Sequence, residues 1–224
     1  MRVAIALYPG VSADECEAFT LVFDRLEGIE LVGVGSRVGI VEGPGGAQRI
    51  DAVYADVRAP DVVLVPGGIG CARAAVDEEL LAWLRSSAER CRWMAASSTG
   101  TVIVAATGLL DNHAAATHWL ASDLLASYGS ATSSERIVEI GRIITCEGRI
   151  TAMHVALLVT LRLAGPDAVR SIREQLEEVG ERRGSSGSGP WFRRRRRRDA
   201  PKPLNRELNA PDVIEFDPIT VHPR

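Results

Sequence analysis

Short apolar runs that stop at proline or glycine alternate along this chain with longer segments of helical spacing. Residues 3–7 form one such run, which stops at Tyr8-Pro9-Gly10, and the run after Asp61 stops at Pro66-Gly67-Gly68. Uniformly apolar runs of this length are typical of parallel strands that are buried on both faces. The alternation therefore predicts an α/β fold in which helices cover both faces of a mostly parallel sheet.

The same periodicities place the other elements. A helix is predicted over residues 12–28, with Ser12 as its N-cap and Gly28 as its end. Further strands are predicted at residues 29–34, 38–41, 93–96, 114–117, 136–140 and 143–146, and further helices at 76–90, 100–110, 118–128, 151–164 and 166–179. The Gly-Pro-Gly-Gly sequence at residues 43–46 marks a loop.

The segment at residues 91–107 carries the clearest chemical signal. An apolar run ends at Ser97-Ser98-Thr99-Gly100 and an Ala/Val/Ile-rich segment follows, which predicts strand, sharp turn and helix. A strained turn of this kind, a nucleophile elbow, lifts one side chain towards the positive end of the following helix. Ser98 would be that residue. The alternative is that Ser98 or Thr99 serves only as the N-cap of the helix.

Four predicted loops should meet at one edge of the sheet, because ligands of open α/β sheets bind beyond the carboxyl ends of the strands. These loops are residues 8–17, 67–70, 97–100 and 117–118. The first holds Asp14, Glu15 and Glu17 at the start of a helix, where acids complement the helix dipole unless one of them turns inward. Gly67 and Gly68 allow the backbone to approach a ligand and to turn its N–H groups towards an anion.

The composition indicates a soluble, cytoplasmic protein. The hydrophobic fraction is 46%, no run approaches the roughly 18 uncharged apolar residues of a membrane span, and the first run is too short for a signal peptide. The four cysteines are too far apart in sequence for a zinc motif or a disulfide framework, so we expect reduced thiols and neither metal nor cofactor. Cys16 is expected to be a buried thiol, and Trp83, Trp93 and Trp119 to be packing residues.

The charge distribution divides the chain in two. Residues 1–182 carry 16 Arg and 24 Asp or Glu, whereas residues 183–224 carry 10 Lys or Arg and 5 Asp or Glu. We predict one folded domain over residues 1–181 and a flexible tail over residues 182–224, with a Gly/Ser-rich start, six consecutive arginines and several prolines. Because the body beside the tail is acidic, a solvated or intramolecularly neutralised tail is favoured over one that binds nucleic acid. No membrane partner is expected, since the chain has no long apolar run.

Four sequence motifs occur in an order that indicates a family. They are Tyr8-Pro9-Gly10-Val11, residues 61–70, Ser98-Thr99-Gly100, and residues 105–111 followed by 116–119. Together they resemble the PfpI-type branch of the class I glutamine amidotransferase-like superfamily, with the strongest likeness to isonitrile hydratase, over about residues 1–180. The resemblance implies a flavodoxin-like three-layer sandwich, a homodimer and a small-molecule substrate.

The resemblance also implies roles for individual residues. The functional side chain would stand on the elbow at Ser98, and an acid on the first helix would protonate or orient the substrate. One alignment makes this acid Glu15 and another makes it Glu17. Gly68, with the amide of Thr99 or Ser98, would bind an anion, and His118 matches a Thr-His pair near the elbow. The implied catalytic residues are Glu15, Ser98 and His118, and the implied substrate-binding residues are Gly67, Gly68, Ile69, Thr99 and Gly100.

Two departures from the family pattern bear on the chemistry. The family has a cysteine where this chain has Ser98, and serine, unlike cysteine, is almost never ionised near neutral pH. A serine nucleophile would need His118 or Glu15 as its base. The family also has an acid before its last long helix, where this chain has His154 or Val155. Any ligand contact that this acid makes in the family has no counterpart here.

Two functional hypotheses follow. The first is a hydratase- or lyase-like enzyme for a small electrophilic or enolisable metabolite. In it, Glu15 does acid/base work while Ser98 hydrogen-bonds the substrate, or Ser98 attacks with the help of His118. We prefer Glu15, because a carboxylic acid whose pKa is raised by partial burial can move protons without a covalent intermediate. The second hypothesis is a non-catalytic ligand-binding or scaffold protein that kept the pocket and lost the cysteine.

Overall fold

Residues 1–185 are described by a computed structural model, and among them eleven strands and seven helices are formed. The strands are β1 (Arg2–Ala6), β2 (Glu30–Gly35), β3 (Gly39–Gly43), β4 (Gly46–Ile50), β5 (Ala52–Val53), β6 (Val62–Val65), β7 (Trp93–Ser97), β8 (Ala114–Ala115), β9 (Ala131–Thr132), β10 (Ile137–Ile140) and β11 (Ile143–Cys146). The helices are α1 (Ala13–Phe23), α2 (Cys71–Ala74), α3 (Glu78–Arg90), α4 (Gly100–Ala106), α5 (Ser122–Ser127), α6 (Arg149–Ala164) and α7 (Pro166–Ser185).

The central sheet has seven strands in the order β10-β11-β7-β6-β1-β2-β5. All neighbouring strands in it are parallel except β10, which pairs antiparallel with β11 through the hairpin predicted from the sequence. The five strands β2, β1, β6, β7 and β11 have the connectivity of a flavodoxin-like sheet. This sheet with its flanking helices confirms the predicted α/β three-layer sandwich.

The core explains why uniformly apolar runs became central strands. Every residue of β6 is buried, as are the last four of β1, because helices cover both faces of the sheet. Helix α1 buries Phe19, Val22 and Phe23 completely, at the helical spacing seen in the sequence, and it packs against α6. Burying side chains of this size stabilises the fold by about 1.5–3 kcal/mol each. On the other face α4 packs against β6 and β7.

Helix α1 ends earlier than predicted, at Phe23 instead of near Gly28. Its last turn tightens, because the amides of Arg25 and Leu26 donate to the carbonyls of Val22 and Phe23, three residues back. Gly28 then leaves the turn with a φ of 73°. Gly28 therefore ends the turn that follows α1, and the prediction that it ends the α-helix itself is wrong.

Two smaller regions refine the predicted element pattern. The Gly-Pro-Gly-Gly loop joins β3 and β4 into an antiparallel hairpin outside the central sheet. The predicted strand at residues 114–117 shortens to β8, which pairs in parallel with β9 in a separate two-stranded sheet. His118 therefore does not follow a strand of the central sheet, contrary to the prediction.

The C-terminal part of the chain is described only in part. Helix α7 continues to Ser185, and the arginine-rich and proline-containing sequence predicted to be a flexible tail lies outside the described residues. The domain boundary at residues 181/182 stays a prediction. Among residues 1–185, no helix has the length and the apolar character that crossing a membrane requires.

Candidate active site

The backbone at Ser98 has the strained geometry expected of a nucleophile elbow. Strand β7 ends at Ser97, α4 begins at Gly100, and between them Ser98 has a φ of 56°. A left-handed conformation costs a residue other than glycine about 1–2 kcal/mol, so packing must hold it in place. A Cβ on Gly67 would lie 2.8 Å from the Ser98 Cβ, and one on Gly100 would lie 2.1 Å from the Val65 carbonyl oxygen. The two glycines let the neighbouring loop and helix close on the elbow.

Glu15 projects from the first turn of α1 towards the end of β7 and is half-buried. Its Oε2 accepts a 2.7 Å hydrogen bond from the Ser97 hydroxyl. The acid therefore pairs with the residue before the elbow tip. Within residues 1–185 the Ser98 hydroxyl makes no hydrogen bond to Glu15 or to His118.

Ser97 is the functional candidate that the sequence analysis missed. Its side chain is fully buried, and Glu15 accepts its hydroxyl hydrogen bond. Successive strand residues point to opposite faces of a sheet, so the last residue of β7 can face α1 while the next one stands at the turn. The only sequence signal for it is a second polar residue at the end of an otherwise apolar strand.

Burial raises the pKa of the Glu15 carboxyl above its usual value. The hydrogen bond from Ser97 is the largest opposing influence, followed by the charge of His118 and by the backbone amide and charge of Arg149, all of which lower this pKa. The balance keeps a larger share of Glu15 protonated than an exposed glutamate would have at the same pH. A carboxyl with a raised pKa is suited to donating a proton as well as to accepting one.

The alternative acid, Glu17, lies at the surface. Its side chain is 48% exposed and forms an ion pair with Arg149, with 3.3 Å between Glu17 Oε2 and Arg149 Nη2. A side chain with this exposure is largely solvated, and such a pair contributes at most about 1 kcal/mol. The geometry favours Glu15 over Glu17 as the acid that faces the elbow.

Two buried threonine hydroxyls hold the segment that carries His118 near the elbow. Thr117 donates to the carbonyl oxygen of Ser98 at 2.9 Å, and Thr101 donates to that of Ala116 at 2.8 Å. The half-buried His118 ring accepts from the Leu120 amide through Nδ1 at 3.3 Å. These bonds bring residues 116–118 to the site although they follow no strand of the central sheet.

Gly68 and Thr99 hydrogen-bond to each other, which differs from both roles expected of them. The Gly68 amide donates to Thr99 Oγ1 at 2.9 Å, and this hydroxyl donates to the Gly68 carbonyl at 3.0 Å. The amide expected to bind an anion is thus occupied. Thr99 is the N-cap residue of α4, as one interpretation predicted, but its side chain makes no capping hydrogen bond. Ile69, the remaining predicted contact residue, is 82% exposed.

Two buried cysteines and the residues at the position of the family acid do not replace the missing groups. Cys16 and Cys146 are buried, and burial raises the pKa of each thiol to about 12, so both stay protonated. The expectation for Cys16 is confirmed. His154 is exposed and Val155 is buried in the core. Within residues 1–185 no cluster of His, Cys, Asp or Glu could hold a metal ion.

One of the three tryptophans differs from its prediction. Trp83 is buried and donates to the Val57 carbonyl at 2.6 Å, and Trp93 lies 4.5 Å beneath the guanidinium of Arg162. Trp119 is 73% exposed and stacks on the His118 ring, with 5.7 Å between the ring centroids. Trp119 is therefore a surface residue beside the site, and its assignment as a packing residue is wrong.

A cleft opens beside this cluster of residues. Its volume is about 570 Å³, and Thr117 and His118 line it together with the first turn of α6. Gly148, at the start of that turn, also borders Glu15, because a Cβ placed on it would lie 3.8 Å from Glu15 Oε1. Gly148 therefore lies between the cleft and the Glu15 carboxyl.

Comparisons with known proteins show which proteins this chain is similar to. The chain is 34% identical over 124 residues to isonitrile hydratase from Pseudomonas putida, which is 55% of this chain and 54% of that protein. It thus spans about half the length of this relative. It is 26% identical over 180 residues to the glutathione-independent glyoxalase DJR-1.2 of Caenorhabditis elegans, covering 78% of this chain and 96% of that protein.

This chain is also similar to a solved structure and to a protein family. The crystal structure of a ThiJ/PfpI family protein from Pseudomonas syringae superposes with a TM-score of 0.71 at 25% identity, covering 86% of this chain and 77% of that one. Residues 1–160 match the sequence pattern of the DJ-1/PfpI family. The match includes the elbow, the first helix and the glycine loop between them. The chain belongs to the DJ-1/PfpI family.

Proposed function

We propose that this protein is a hydratase- or lyase-like enzyme for a small electrophilic or enolisable metabolite, with Glu15 as its acid/base residue. The observation that carries the proposal is the half-buried Glu15 carboxyl, which has a raised pKa and lies against Ser97 at the base of the elbow. The hydratase and the glyoxalase among its relatives support the reaction class. Both names describe reactions of small molecules.

Hydration of an isocyanide illustrates how this geometry would act. Protonated Glu15 donates its proton to the terminal carbon of R–N≡C, and water adds to the same carbon. The adduct returns a proton to the Glu15 carboxylate and tautomerises to the formamide R–NH–CHO. One water is consumed, Glu15 returns to its acid form, and no oxidant or reductant is required.

Ser98 serves in this proposal as a hydrogen-bond donor to the substrate. A serine hydroxyl attacks efficiently only when a base takes its proton, and no base is hydrogen-bonded to Ser98 within residues 1–185. Ser98 is buried, and its positive φ places it at the turn between β7 and α4, where its hydroxyl can donate to a bound substrate. His118 contributes by orienting the substrate and by its charge near Glu15.

The proposal predicts different losses for Glu15→Gln and Ser98→Ala. Glu15→Gln keeps the size of the side chain and removes the transferable proton, so turnover should fall by about 10²- to 10⁴-fold. Ser98→Ala removes one neutral hydrogen bond and should lower turnover by about 10-fold. The measurement is steady-state kinetics on a panel of isocyanides and 2-oxoaldehydes. Glu17→Gln, at the surface, should leave the rate on uncharged isocyanides near that of the wild type. Equal and total loss in both Glu15→Gln and Ser98→Ala would contradict the assignment.

A non-catalytic ligand-binding protein is the second candidate. The occupied Gly68 amide favours it, because an amide bonded to Thr99 is not free to stabilise a developing anion. A binding protein would show raised thermal stability with isocyanides, 2-oxoaldehydes or amides and form no product. Formation of product with any of these compounds would exclude this candidate.

The proposal also includes a cytoplasmic homodimer that acts on a small-molecule substrate, as the family resemblance implies. Size-exclusion chromatography with light scattering tests the dimer directly. A monomer at micromolar concentration would remove the dimer from the proposal without affecting the assignment of Glu15.

A further inference from the structure

The cleft beside Glu15 has a composition that suits one class of substrate. His118, Arg136 and the first turn of α6 line it, and its volume of about 570 Å³ exceeds what a two- or three-carbon substrate needs. Resting on the proposed function, we infer that this cleft binds the carboxylate of an organic acid whose reactive carbon lies at Glu15, with Arg149 and Arg136 as the anchoring residues.

The two arginines keep donors available for a ligand. Arg149 engages Glu17 through Nη2 at 3.3 Å, which leaves Nε and Nη1. Arg136 engages one oxygen of Glu147 through Nε and Nη2, which leaves Nη1. A guanidinium presents five N–H donors in a planar fork that matches a carboxylate, so a ligand can bind without displacing either glutamate.

The ion pairs that the arginines already make are exposed and easily rearranged. The side chains of the Arg136–Glu147 pair are 62% and 42% exposed, and those of the Arg149–Glu17 pair are 50% and 48% exposed. Pairs of this exposure contribute little to stability, so their geometry can adapt to a ligand at low cost. Their presence holds the guanidinium groups at the cleft in the absence of a ligand.

The rest of the cleft suggests what is attached to the carboxylate. Trp119 and Ile150 line it and are 73% and 65% exposed, so they offer apolar surface that no other part of residues 1–185 covers. Of the lining hydroxyls, those of Ser122 and Thr151 donate to the carbonyls of Trp119 and Gly148. The Ser133 hydroxyl accepts from the Glu135 amide and keeps its hydrogen for a ligand. The fitting ligand is a small acid with an apolar side chain, such as an acid derived from leucine.

An acid and its neutral methyl ester are the pair of probes that tests the inference. N-formylleucine is the hydration product of the leucine-derived isocyanide, and its methyl ester lacks the negative charge. We expect calorimetric titration to show the acid binding at least about 10-fold more tightly than the ester, as a charge-assisted hydrogen bond provides. Arg149→Gln and Arg136→Gln should each remove most of this preference and leave binding of the ester unchanged.

Arg85→Gln is the matched control. Arg85 also forms an exposed 3.3 Å ion pair, with Glu78, but it does not line the cleft, so its variant should bind both probes like the wild type. Equal binding of the acid and the ester, no binding of either, or an unchanged preference in both cleft variants would overturn the inference.

The same probes separate this inference from the proposed function. Conversion of the leucine-derived isocyanide to N-formylleucine is followed by chromatography, beside conversion of its methyl ester. If the acid and the ester are hydrated at equal rates, in the wild type and in the arginine variants alike, the proposed enzyme activity is supported and the carboxylate site is overturned. Arginine-dependent binding of N-formylleucine without hydration of any isocyanide would support the site and contradict the proposed isocyanide chemistry.

Discussion

The hydrogen bond from Ser97 to Glu15 should control the pH at which the enzyme loses activity. If Glu15 acts as an acid, kcat/KM is highest below the pKa of its carboxyl and falls as the pH rises through it. The Ser97 hydroxyl lowers that pKa by stabilising the carboxylate. Ser97→Ala removes this influence, so the pKa of Glu15 should rise and the fall in kcat/KM should move to higher pH.

Two measurements distinguish this effect from general damage to the site. A ¹³C NMR titration of the Glu15 carboxyl reports its pKa directly and does not depend on turnover. Ser98→Ala removes the adjacent hydroxyl, which makes no hydrogen bond to Glu15, so it should lower the rate without moving the titration. A pKa of Glu15 that is unchanged or lower in Ser97→Ala would show that the Ser97 hydroxyl does not stabilise the Glu15 carboxylate.

The residues of the site could be predicted from sequence only where a motif marked them. Glu15 and Ser98 follow strands at the edge where α/β proteins bind ligands, and the structure places both there. The partner of Glu15 could not be predicted, because the hydroxyl facing α1 depends on the side-chain direction at the end of β7. The bond between Thr99 and Gly68 was missed for a similar reason, since it joins two loops 31 residues apart in sequence.

At the scale of elements, the elbow depends on close contact between α4 and the end of β6. A Cβ on Gly100 would lie 2.1 Å from the carbonyl oxygen of Val65, a backbone atom that cannot move without disturbing the sheet. Gly100→Ala should therefore destabilise the protein by about 2 kcal/mol or more, despite the gain of up to about 1 kcal/mol in helix propensity. Urea unfolding followed by circular dichroism measures this change.

Gly148→Ala is the matched control for that substitution. Gly148 also lies at the start of a helix, but the nearest atom to a Cβ there is 3.8 Å away, an ordinary van der Waals distance. Its φ of 170° is extended backbone that alanine adopts, so the loss should stay below about 1 kcal/mol. Similar stability of the two variants would show that the α4–β6 contact is less tight than described.

Element boundaries were less predictable than the elements themselves. The apolar runs marked the central strands because burial on both faces leaves no polar alternative. The end of α1 at Phe23 could not be predicted, since the amides that follow it continue with tighter turns that keep the same spacing of apolar residues. The short β8 was overestimated because alanine-rich sequence fits strand, turn and helix alike.

For the whole molecule, alternation of strands and helices was sufficient to predict the layered sheet. Parallel strands need crossover connections, and right-handed crossovers leave few possible strand orders. The arrangement of the cleft was not predictable in the same way, because it depends on how residues 117–119 lie against the first turn of α6. Side chains distant in sequence, such as His118 and Arg149, meet there only after the sheet has formed.

The stability of the fold should not depend on residues 186–224. Within the described residues, the buried hydrophobic side chains lie between Val3 and Ile172, and α7 packs against α6 through that range. A chain truncated after Ser185 should therefore keep its far-ultraviolet circular dichroism and melt within about 2 °C of the full chain, because 1 kcal/mol corresponds to about 2–4 °C at this size. A fall of more than about 5 °C, or loss of helical signal, would show that the C-terminal sequence completes the core and would move the predicted boundary at residues 181/182 towards the C-terminus.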